Sequence, residues 1–149
     1  MSTPDLGQST AAELKSFVFD NYIGKGQFRE VYTFGPNTAY VIKYEHAPRS
    51  FSNVYEWDIW AQVKGTVYEK YFAPCLDISH SGSFLIQSKT DQLPRNIKKV
   101  LLPEVFACDL KRANLGLYNG EPVLHDYGNH AIYQKGLLSS KIKWLKIKD

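Results

Sequence analysis

The chain starts polar and turns apolar in a regular way only after its first ten residues. Thr10 to Phe17 has helical composition (Ala-Ala-Glu-Leu-Lys), and Thr10 is placed to cap it. From there the period is two. Val18 to Ile23 reads as a strand running into Gly24-Lys25-Gly26, and Arg29 to Phe34 alternates as the returning strand. Gly35-Pro36-Asn37 marks a turn, and Ala39 to Tyr44 forms a third strand. Together these segments predict an antiparallel meander.

The period then changes. Ser52 is predicted to cap a helix from Asn53 to Lys64, closed by Gly65. Asn53, Glu56, Trp60 and Val63 fall on one face of it. Pro74 to His80 and Ser83 to Ser88 read as strands around a Ser81-Gly82 turn. A short helix is expected over 94–105, between Pro94 and Pro103. Leu115 to Tyr118 and Pro122 to His125 flank Asn119-Gly120, a strong hairpin signal. The last segment, Leu137 to Lys148, carries lysines among Leu137, Leu138, Ile142 and Leu145. It predicts a basic amphipathic helix packing its apolar side inward, with a partner-docking or nucleic-acid element as the alternative. The pattern as a whole is α+β, without an internal repeat or flexible linker.

At 149 residues the chain fits one domain, and 44% apolar against 22% charged residues make it globular rather than disordered. No apolar stretch approaches the roughly 20 residues that span a bilayer, and the polar N-terminus does not resemble a signal peptide. A cytoplasmic protein without a membrane partner is therefore expected. A net charge of +3 is too small to call for nucleic acid. Cys75 and Cys108 have no partner spacing, which points to a reducing compartment and no metal cluster, with a single disulfide as the open alternative. His46, His80, His125 and His130 show no ligand spacing and are read as structural, with His125 set to pack beside or position Asp126. Cys108 has no histidine placed to activate it and is expected to be a buried thiol.

The candidate chemistry lies between Phe106 and Gly128. Asp109 and Asn114 stand five residues apart, and the hairpin leads into Asp126-Tyr127-Gly128. Asp109 can accept or orient a proton, and Asn114 and Asp126 can hold a divalent metal over a polyphosphate. Equally, all three can be plain turn residues. Gly24-Lys25-Gly26-Gln27-Phe28 sits between two strands, where the missing Cβ atoms let backbone amides approach a phosphate; a simple turn is the bland alternative. Lys43, in Val41-Ile42-Lys43, either snorkels at a sheet edge or pairs with Glu56 on the next helix.

In this order the motifs resemble the protein-kinase fold over residues 18 to 130. Gly24-x-Gly26-x-Phe28-x-x-Val31 is similar to its glycine-rich loop, and Val41-Ile42-Lys43 to its third-strand lysine motif. Glu56 matches the partner glutamate, Asp109-Leu110-Lys111-x-x-Asn114 the catalytic loop, and Asp126-Tyr127-Gly128 the metal-binding Asp-Phe-Gly. The resemblance implies one domain over 1–149. Residues 18–88 would form an N-lobe of about five antiparallel strands and one main helix. Residues 89–149 would form a strongly reduced C-lobe with the catalytic loop, a β-hairpin and the basic C-terminal helix. It implies ATP and Mg2+ as cofactors. The amides around Gly24, Lys25, Gly26, Gln27 and Phe28 would cover the phosphates, and Lys43, held by Glu56, would contact them. The backbone of Gln87, Ser88 and Lys89 would meet adenine. Asp109 would be the base or orienter, Lys111 would neutralise charge, and Asn114 and Asp126 would ligate magnesium.

The departures are as informative. Arg29 replaces the third glycine, and Ala107-Cys108 replaces the His-Arg before the catalytic Asp, which removes the arginine that reads a phosphorylated activation loop. About 20 residues separate Lys89 from Asp109, and 21 follow Gly128, leaving no room for the usual peptide platform. Such compactness resembles a small kinase-like protein of a bacteriophage. The expected function is an ATP- and magnesium-dependent transfer to a hydroxyl of a host protein, or of the chain itself, in the host cytoplasm. The alternatives are a weak or inactive kinase-like protein that binds and inhibits a host factor, and transfer of AMP. A homodimer through exposed aromatics is left open.

Overall fold

The computed structural model describes residues 19–25, 29–46, 50–128 and 136–149. The expected helix Thr10 to Phe17 lies outside them. The meander forms as strands β1 (Phe19–Lys25), β2 (Arg29–Phe34) and β3 (Tyr40–Glu45). With β4 (Cys75–Ile78) and β5 (Phe84–Ser88) they build a five-stranded antiparallel sheet in the order β1-β2-β3-β5-β4. The strand carrying Lys43 is therefore central rather than an edge, and Lys43 is buried.

Among the described residues one α-helix, α1 (Ser52–Val63), packs on this sheet. Ser52 is its first residue rather than its cap, because a strand residue supplies the cap. The buried Glu45 carboxylate accepts the N–H of Phe51 and of Asn53, both at 3.1 Å. Negative charge at a helix N-terminus also suits the helix dipole. Phe51 takes a left-handed conformation to bring the chain into this contact. The expected face is the buried one: Asn53, Glu56, Trp60 and Val63 are all inside, together with Ile59.

A three-stranded sheet, β6 (Asp91–Gln92), β8 (Leu115–Tyr118) and β9 (Glu121–Leu124), runs in the order β6-β8-β9. Its hairpin turns at Asn119-Gly120, both at positive φ (52° and 80°), as such a tight turn demands. The helix expected over 94–105 does not form. Lys99–Pro103 is strand β7, and Glu104–Asp109 is a 3-10 turn. The basic C-terminal helix does not form either: Leu137–Ser139 is one 3-10 turn, and Ile142–Lys146 is strand β10, antiparallel to β7. The two corrections share a cause. Each segment has a β-compatible apolar pattern, and each completes the backbone hydrogen bonds of the other.

A single apolar core joins these parts. Ile59 and Val63 of α1, Leu85 of β5, Leu102 of β7, Leu115 and Leu124 of the hairpin and Leu145 of β10 all belong to it. Phe72 stacks edge-on against both Phe106 and Tyr127 at its centre. Cys75 is buried and Cys108 exposed, both free thiols, so no disulfide joins them. The exposure of Cys108 corrects its expected burial: it lies near the end of a surface 3-10 turn. Among the described residues no helix is long and apolar enough to cross a membrane.

Candidate functional site

Glu56 is the hub of the interior polar network and is fully buried. Its Oε1 accepts from Lys43 Nζ at 2.5 Å and from Gln87 Nε2 at 2.9 Å. Its Oε2 accepts from Arg29 Nη2 at 2.9 Å and from the backbone N–H groups of Tyr127 (3.2 Å) and Gly128 (3.0 Å). Burial alone would raise its pKa. The Arg29 and Lys43 charges and their hydrogen bonds outweigh that and hold it at about 2. Glu56 is thus an anion to which sheet, helix and the Asp126-Tyr127-Gly128 segment are all tied.

Lys43 reaches Glu56 on one side and the His125 carbonyl on the other. Across β2 and β3 it pairs in register with Val31, and Val41 pairs with Gln87. Gln87 directs its side chain to Glu56. The N–H groups of Ser88 and Lys89 donate to the carbonyls of Pro74 and Ala39 at 2.8 and 2.9 Å, so both donors are engaged within the fold.

Asn114 and Asp126 are brought together by backbone contacts. The Asn114 carbonyl accepts the N–H of His125 at 2.9 Å and of Asp126 at 3.4 Å. His125 Nε2 faces the Ala113 carbonyl, which only accepts, so Nε2 carries the hydrogen and Nδ1 accepts from the Thr90 hydroxyl at 2.6 Å. Burial, and then the nearby Lys43 charge, push the His125 pKa down and keep the ring neutral. His125 thus has a structural role, fastening the segment before Asp126.

These residues share one open cleft of about 940 Å³. Gly24, Lys25, Val31 and Lys43 line it from the first sheet, and Gln87, Ser88 and Lys89 from the end of β5. Lys111, Asn114 and Asp126 line it from the other side. Glu56 stands behind Lys43. Gly26, Gln27 and Phe28 lie outside the described residues, as does the side chain of Asp109, whose backbone ends the 3-10 turn. The loop carrying Lys111 is closed by the tail: Lys148 N–H donates to Leu110, and Arg112 N–H to Lys148.

The pattern of motifs missed Arg29 as a site residue. Its guanidinium joins Asn53 Oδ1 at 3.1 Å, Glu56 at 2.9 Å and Asp126 Oδ1 at 2.6 Å. Burial would lower its pKa, but the charges of Glu56 and Asp126 raise it further, so it is permanently cationic. The available signal was the departure itself, an arginine where the resemblance implied glycine. Asn53 was also missed as a brace. Its Nδ2 donates to the carbonyls of Lys43, Gly82 and Ser83.

Gly128 is required by close approach. A Cβ there would stand 2.2 Å from the Ser52 carbonyl oxygen and 3.1 Å from Glu56 Oε2. Gly128→Ala is expected to cost about 2–3 kcal/mol in urea unfolding, as overpacking does. A loss below about 0.5 kcal/mol would show instead that the segment shifts freely. Compared with protein-family models and with curated proteins, the chain matches none.

Proposed function

We propose that this chain is a minimal kinase-like protein that binds ATP with magnesium and transfers the γ-phosphoryl group to a protein hydroxyl, on a host protein or on itself. The observation that carries the reading is the buried Lys43–Glu56 pair, whose lysine lines the same cleft as Asn114 and Asp126. A five-stranded antiparallel sheet with one helix, beside a smaller part holding a hairpin, is compatible with that fold.

Each residue takes a role from its chemistry. Val31 and Val41 offer apolar surface to a flat ring. Lys43, oriented by Glu56, would meet phosphate oxygens, and Lys111 would neutralise charge on the group in transfer. Asn114 and Asp126 offer an amide oxygen and a carboxylate, the hard donors that suit magnesium, and would hold it. Bound there, the ion supplies charge neutralisation to the phosphates. The acceptor oxygen bonds to phosphorus as the bond to ADP breaks, and Asp109 would take or orient the acceptor's proton.

Thermal unfolding with ATP and magnesium tests the site. At a hundredfold excess over Kd the wild type gains about 2.7 kcal/mol, a rise of several degrees. Asp126→Ala is expected to show little of it. No rise in the wild type, or an equal rise in the variant, would sink the reading. One observation favours a second reading, a slow or inactive chain that docks on a host factor: Arg29 already engages Asp126. Stoichiometric capture of one partner, unchanged by Lys43→Met, would support it.

A further inference from the structure

Arg29 begins β2, with its guanidinium at the back of the cleft. It is 7% exposed, whereas the Asp126 side chain is 51% exposed. One Nη2 is shared between the carboxylates of Glu56 and Asp126. The arginine is anchored from behind by Glu56 and Asn53. Removing it from Glu56 would leave a buried carboxylate with less compensation, which is costly. Asp126 is the more exposed of the two carboxylates and faces the cleft. The carboxylate that the proposed function gives to a divalent ion thus already holds a cation of the chain itself. Two cations at one carboxylate repel, and water screens the buried guanidinium only partly.

We propose that Arg29 is a positioning residue that competes with the divalent metal for Asp126 and so sets how tightly the cleft holds that metal. This rests on the reading of Asp126 as a metal-facing carboxylate. The chain's own guanidinium weakens metal binding in the resting protein. It also keeps Asp126 fixed beside Glu56 until a metal takes it over.

The test uses Mn2+ alone as a paramagnetic probe, with the full chain and no nucleotide. Arg29→Gln, which keeps an amide donor but loses the charge, is expected to bind Mn2+ on the order of tenfold more tightly than the wild type. The gain should vanish in Arg29→Gln combined with Asp126→Asn. Equal or weaker binding in Arg29→Gln, or a gain that survives the loss of Asp126, would overturn the proposal. A second measurement needs no variant. In nitrogen-15 spectra of the wild-type guanidinium groups, the Arg29 Nη resonances should move as magnesium is added. Resonances that stay fixed throughout the titration also overturn it. ATP is absent from both measurements. A chain that shows the Mn2+ gain but no ATP stabilisation refutes the kinase-like function alone, and the reverse pattern refutes the role of Arg29 alone.

Discussion

Glu56→Gln is expected to lower the unfolding free energy by about 3–5 kcal/mol at pH 7, because it leaves two buried cations without their shared anion. That is a large part of the stability of any domain this size. The pH dependence has a definite sign. The carboxyl titrates near 4.5 when free and at about 2 in the fold. A depressed carboxylate contributes stability above its unfolded pKa and loses it as pH falls through the folded one. The gap between wild type and variant, read from urea midpoints, should therefore be full above about pH 5 and close progressively toward pH 2. A gap independent of pH would mean that packing rather than charge holds this centre.

Asp126→Ala should behave in the opposite way. Its side chain is half exposed and pairs with Arg29, which keeps Glu56 as a second partner. The expected stability loss is about 1 kcal/mol or less. Transfer of label from γ-labelled ATP to protein should fall by roughly a thousandfold, the scale of removing one key electrostatic group from an active site. Persisting label would refute the proposed chemistry. A stability loss matching that of Glu56→Gln would refute the division between a buried anchor and a cleft-facing ligand.

Some of this was legible in the residue order. The meander, the helix face and the Asn119-Gly120 hairpin follow from local periodicity and turn chemistry, and they hold. Lys43, Glu56, Asn114 and Asp126 were found by type and spacing, and the fold brings all four to one cleft or directly behind it. What failed depends on distant partners. Lys141 to Lys148 alternates apolar and basic residues, but leucine and lysine also favour helix, and only β7, some forty residues earlier, decides for strand. Arg29 finds its partners 24, 27 and 97 residues away, so no local window reveals it. The Glu45 cap of α1 escaped for the same reason: a strand residue, not Ser52, meets the helix end.

The closure of the Lys111 loop by Lys148 bears on how the chain is made. During synthesis this loop cannot close until Lys148 has been added and has left the ribosome. Until then the 111–112 backbone and β7 lack those hydrogen-bond partners from 142–148. Assembly of that side of the cleft therefore follows the synthesis of β10. A message cut short before Ile142 would yield a product whose first sheet can form but whose cleft has one unsupported wall.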